Sequence, residues 1–262
     1  MEILLLVKYE NKFELGGDLK KRAGRPSVDL AYRLRTRAWF NAVSQTSGMN
    51  DRELELLFGD FKYTPAFRPG LWGKYKKGTM CPRFKPSTNG RLSIVQRVEE
   101  KFPGTSDWLW LPFWDVLSRK PMGMTEIKAI YFSLSEEVCE KIIADETDED
   151  LYETTFWRIP KNWKELFSEL YEIGDLDAAT AILALIKECE ITQRPEEHKM
   201  ALAYWGKIAL KLYRYPPLAP IIPDINSVVG KHYAAMLYPD ESGCYEELGV
   251  DDVMRSLEGI TE

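Results

Sequence analysis

From Ser27 to Leu237, apolar residues recur at intervals of three and four between Gly, Pro, Asn and Asp breaks. No strand-like alternation of useful length occurs after residue 20. A chain written in that rhythm has to fold by laying the apolar stripes of helices against one another. The expected class is therefore mostly α, with short helices in the N-terminal part and a helical bundle after it. Residues 1 to 17, "ILLLVKYENKFEL" with its flanks, read as a short β-hairpin turning at Glu10 and Asn11, although an N-terminal helix would use the same letters.

Local signals set the expected helix ends. Ser27 is a plausible N-cap for a helix that places Leu30, Ala31, Leu34 and Ala38 inward and runs to about Val43. "MNDRELELLFGD" starts at Asn50 or Asp51, buries Leu54, Leu57 and Phe58, and stops at Gly59. "LWGKYKKGTMCPR" is a short helix closed by Gly78, and "LSIVQRVEEKFPGT" buries Ile94, Val95, Val98 and Phe102 before Pro103 and Gly104. The cluster Trp108, Trp110, Phe113 and Trp114 reads as core joining two parts of the chain. Beyond it "TEIKAIYFSLSEEVCEKII", "NWKELFSELYEIG", "DLDAATAILALIKECEIT" and "PEEHKMALAYWGKIALKLYRY" each carry helical spacing, with Gly174 and Asp175 marking a tight turn. "YPPLAPIIP" is a break before a last helix near Ser227 to Leu237. No fixed-period repeat occurs.

Charge divides the chain more sharply than its total suggests. The formal net charge is −6, yet residues 1 to 100 hold 19 Lys and Arg against 11 Asp and Glu, and the remainder holds 16 against 30. Such asymmetry suggests that one part meets a polyanion while the other stays solvated or meets a protein. The expected division is a basic part, 1 to 120, and an acidic helical part, 121 to 262. At 262 residues and 45% hydrophobic the chain can bury a large core. Its four cysteines lack C-x-x-C pairing, which argues against a disulfide framework or zinc site and for a reducing, cytoplasmic compartment. No window approaches a membrane span, and "MEILLLVKYE" is too short for a signal sequence.

Catalytic patterns are missing. There is no G-x-S-x-G, P-loop, G-x-G-x-x-G or H-E-x-x-H, and His198 and His232 each stand without a ligand-spaced Cys or acid. The acids Asp145 to Asp150 lack the alternation of a calcium loop. The chain is read as non-catalytic, with no cofactor and no metal.

Two basic stretches carry the functional expectation. Lys74, Lys76, Lys77, Arg83, Lys85 and Arg91 fall within 18 residues that contain no Asp or Glu. Residues 18 to 37 hold seven Lys and Arg, among them Arg22, Arg25, Arg33 and Arg37, against two Asp. Phosphates are the natural partners of both stretches, and Trp72 and Tyr75 could stack on sugar and base or pack as core. Six neutralised phosphates would give a log–log salt slope of roughly −5.

Residues 54 to 105 resemble the helix-turn-helix of Cro and lambda-repressor proteins. "LELLFGD" matches the first helix, Tyr75, Gly78 and Pro82 fall where that family's Glu, Gly and Pro lie, and "SIVQRVEEKF" matches the closing helix. The turn is enlarged by "FKYTPAFRPG", and Tyr75 replaces an acid. The resemblance implies a second helix whose N-terminal part enters the major groove while nearby cations hold phosphates. "KRAGRP", residues 21 to 26, is similar to an AT-hook core, with Ala23 in place of the first core Arg; that resemblance implies minor-groove contact by Arg22 and Arg25.

The expected function is regulation or recruitment at double-stranded DNA, with the acidic part available to a protein partner and no membrane involved. The alternative is a non-catalytic interaction subunit of a bacterial or phage assembly, such as a defence or mobile-element system.

Overall fold

The computed structural model describes residues 29–59, 70–86, 90–118, 120–143 and 162–233. The expected hairpin, the AT-hook-like stretch with Arg22 and Arg25, the acidic run 145–150 and the C-terminal tail lie outside the described residues. Within them the fold is helical and holds no sheet. No described helix is long and apolar enough to cross a membrane.

The first helix, α1 (Leu30–Ser47), is capped by Asp29, whose Oδ1 accepts the Ala31 N–H at 2.8 Å, rather than by Ser27. It continues past Val43 because nothing breaks it before Gly48, which turns left-handed at φ 68°. A true capping box starts α2 (Asp51–Phe58): Asn50 accepts from Arg52 and Glu53, and the Glu53 carboxylate accepts from the Asn50 N–H. Leu54 and Phe58 are buried there, but Leu57, expected inward, is exposed. Three short helices follow: α3 (Leu71–Lys76), α4 (Ile94–Lys101) and α5 (Asp107–Trp110).

The bundle comprises α6 (Phe113–Leu117), α7 (Met124–Phe132), α8 (Glu136–Ile142), α9 (Trp163–Ile173), α10 (Leu176–Thr192), α11 (Pro195–Lys211) and α12 (Ile222–Tyr233). The segment expected as one helix over 125–143 is split into α7 and α8. The Ser133 and Leu134 N–H groups donate to the carbonyls of Ile130 and Tyr131 and close the end of α7, and the Asp177 carboxylate accepts the Ser135 N–H at 2.9 Å. The last helix starts at Ile222, earlier than expected, because Pro223 falls in its first turn, where a missing N–H costs nothing.

Every residue from Ala178 to Cys189 is buried, so α10 is the axis of the bundle, packed by α6, α7, α9 and α11. Two charges are buried with it. The Lys187 ammonium, 7% exposed, donates to the carbonyls of Ser118 (2.8 Å) and Lys120 (3.3 Å), and Glu188 accepts the Tyr131 hydroxyl at 2.9 Å. Burial lowers the Lys187 pKa below the usual lysine range.

The buried apolar residues form two clusters. The larger surrounds α10; the smaller joins Trp39, Phe40, Val43, Leu54, Phe58, Trp72, Tyr75, Val98 and Leu109. The clusters meet along α1, which gives Ala31, Leu34 and Ala38 to the larger and Trp39, Phe40 and Val43 to the smaller. Phe113 and Trp114 are buried, with the Trp114 indole N–H donating to the Trp108 carbonyl at 2.8 Å. Trp110, expected in the core, is 58% exposed. A four-residue helix has one inward position, Leu109 takes it, and the next side chain points about 100° away.

Candidate nucleic-acid interface

The basic, acid-free stretch is organised by α3, whose rotation follows from what it buries. Trp72 stacks on Trp39 at 5.4 Å between ring centroids, and Tyr75 meets the same indole edge-on at 5.4 Å. With those two rings inward, Lys74, Lys76 and Lys77 are forced outward. Trp72 is only 1% exposed, which corrects its assignment as a nucleic-acid contact: it is the packing centre of the small cluster and presents no face to a base.

Both ends of α3 are fastened to other helices. Glu55 of α2 caps its start, accepting the Trp72 N–H at 2.8 Å. That approach requires Gly70, since a Cβ there would lie 2.3 Å from the Glu55 carboxylate. At the other end Gly78 has φ 63°, its N–H donates to the Tyr75 carbonyl, and the Thr79 N–H donates to the Lys74 carbonyl, a Schellman closure. A Cβ on Gly78 would lie 2.6 Å from the Arg33 carbonyl, while the Arg33 Nε donates to the Gly78 carbonyl at 3.2 Å. Burial, and then the charge of Glu55, push the Tyr75 phenol up to about 12, so it is a neutral hydroxyl at physiological pH.

Two grooves flank α3 and differ in charge. One, about 770 Å³, is shared with α2; Lys74, Lys76 and Lys77 face Asp51 and Glu55 across it, and the Lys76 ammonium pairs with Asp51 at 3.1 Å. The other, about 720 Å³, lies toward α4 and is lined by Arg83, Lys85, Arg91 and Arg97 over an apolar floor of Met80 and Leu92. No carboxylate occurs among its described lining residues. Counted over the described lining residues, the second groove is the more basic of the two, with four cations and no carboxylate against four cations and two carboxylates in the first.

The remaining expected contacts are dispersed. Arg33 is exposed beside Gly78, outside both grooves. Arg37 faces the bundle and forms an ion pair with Asp224 of α12, joined by the Asn41 amide, which donates to the Pro217 carbonyl at 2.9 Å. Lys74 and Lys77 are exposed on α3. Arg97, missed in the sequence reading, enters the groove from α4, and its guanidinium donates to the Phe58 carbonyl at 3.1 Å. Its signal was weak: one Arg on the polar side of an amphipathic helix, next to Glu99 and Glu100.

Residues 61–69, most of the enlarged turn of the helix-turn-helix resemblance, lie outside the described residues, whereas the stretch from Leu71, where the resemblance puts the reader, begins with α3. No protein-family model, curated protein or solved structure matches this chain.

Proposed function

We propose that the protein binds DNA through the groove between α3 and α4 and acts in regulation or recruitment at that DNA. One observation carries the reading. Arg83, Lys85, Arg91 and Arg97 come from an irregular segment, a loop and a helix, yet line one groove with no carboxylate among its described residues. Four cationic side chains lining one groove complement a negatively charged backbone, and a run of phosphates seated there releases counterions. The apolar floor suits sugar faces. Lys74 and Lys77 extend the field along the outer side of α3, whereas Lys76 is already partnered by Asp51.

The test is a salt series on the full chain with a duplex probe. Four phosphate contacts predict that log affinity falls against log salt with a slope of roughly −3.6, at about −0.9 per contact. The triple change Arg83→Glu, Lys85→Glu and Arg91→Glu is expected to weaken binding roughly a hundredfold or more at low salt and to flatten that slope. Absence of affinity for both duplex and single-stranded DNA at low salt, or affinity that the triple change leaves intact, overturns the reading.

A further inference from the structure

We infer that the exposed indole of Trp110 is a stacking step for an unpaired nucleobase, so that the basic groove holds single-stranded nucleic acid in preference to duplex. The inference rests on the nucleic-acid reading above and adds to it the strandedness of the ligand and a residue that reads it. A single exposed tryptophan means little by itself, because isolated apolar side chains are common on protein surfaces. What distinguishes Trp110 is its setting.

The groove wall alternates. Arg83 and Lys85 line the groove, whereas Phe84 between them turns away and packs on Trp110, with ring centroids 4.8 Å apart and planes at 51°. The aromatic step and the cationic groove therefore share one wall, residues 83 to 85. Behind it the Arg35 guanidinium lies 5.4 Å from the Phe84 ring centre and 4.6 Å from that of Tyr32. This fixes Phe84 and adds positive charge beneath the step. Trp110 thus has one side supported by a ring and more than half its surface open to solvent.

A strand whose phosphates follow Arg83 and Lys85 passes beside that open indole face. Stacking a base on it needs a base with a free π-face, which a single strand offers at every nucleotide and the interior of a duplex does not. Backbone cations beside an aromatic platform are the two parts that sequence-tolerant single-strand binding uses. Nothing in the chemistry depends on the sugar, so a deoxyribose or ribose strand meets the same step.

The test measures affinity of the full chain at fixed low salt for oligothymidylate, oligouridylate and a blunt duplex, each of about 15 nucleotides or base pairs. Wild type is expected to bind at least one single strand more tightly than the duplex. One lost stack predicts that Trp110→Ala weakens that single strand roughly 5- to 100-fold. Duplex affinity should change less than about twofold, because duplex binding rests on the phosphate contacts alone. Trp110→Phe, which keeps a smaller ring, is expected to lose less than Trp110→Ala and guards against a trivial loss of fold. Dependence on Trp110 with either the deoxy or the ribo oligomer supports the inference, and their relative affinities identify the strand chemistry. Unchanged single-strand affinity in Trp110→Ala overturns it, as does equal loss with duplex. If the duplex still binds through Arg83, Lys85 and Arg91, only this inference falls; if no probe binds, the nucleic-acid reading falls with it.

Discussion

The two apolar clusters solve the same problem with different materials. Around α10 the side chains are largely aliphatic and small, with Ala178, Ala179, Ala181, Ala184, Ala201 and Ala209 buried where long helices approach closely. The smaller cluster has helices of four to eight residues apart from α1, and it is built on Trp39, Phe40, Phe58, Trp72 and Tyr75. Helices that short are not stable alone. The rings come from α1, α2 and α3, since a ring buries the most apolar surface per residue, and α4 and α5 add Ile94, Val95, Val98 and Leu109 around them. The candidate site occupies the region held by few large contacts, which leaves its loops free to carry charge.

The comparison is broken most directly at Trp72. Trp72→Ala is expected to cost about 3–5 kcal/mol. Hydrogen exchange should show lost protection over α2, α3 and α4 while α10 and α11 keep theirs. Simultaneous loss in both regions would mean that α1 couples the clusters into a single unit.

Alkaline pH sharpens the contrast, with a somewhat smaller effect. The Tyr75 phenol is pushed up to about 12 by burial and by Glu55, whereas in the unfolded chain it titrates near its ordinary value of 10. Below pH 10 both states hold the proton and its stabilisation is complete. Between pH 10 and 12 the unfolded chain releases it first, so stability should fall by about 2 kcal/mol. Buried Tyr233, also raised well above 10, adds a loss of the same sign within the bundle. Denaturant midpoints at pH 9 and 11.5, compared between wild type and Tyr75→Phe, isolate the Tyr75 share; equal falls in both proteins would refute it.

The smallest effect is expected inside the large core. Lys187→Met removes a buried ammonium, which relieves its desolvation, but it leaves the Ser118 and Lys120 carbonyls without that donor. The net expectation is a loss of about 1–2 kcal/mol, read as a shifted urea midpoint with an unchanged slope. A more stable variant would show that the two carbonyls find other donors.

Much of the helical order was legible because its signals are local. The cap at Asn50, the Gly174–Asp175 turn and the closing Gly78 each depend on residues a few positions apart. What was misread depends on distant partners. The break between α7 and α8 meets Asp177, Arg37 is taken by Asp224, and Arg97 reaches the groove only because α4 packs beside α3. Of the two roles open to Trp72, stacking or core, the structure takes core, while Trp110, read as core, is exposed. Spacing can say that a ring lies on one side of a helix; which side becomes interior depends on the neighbour that arrives there.

The sequence by itself determined that the described chain would be helical, where most helices begin and end, and that its positive charge gathers before residue 100. Those properties follow from hydrogen bonds and side-chain periods within a turn or two. The tertiary structure alone decided which cations share a groove with no acid among its described lining residues, which lysine pairs with Asp51, and which tryptophan is left facing water. Electrostatic fields and burial are sums over neighbours in space, and those neighbours are assembled only when the helices pack.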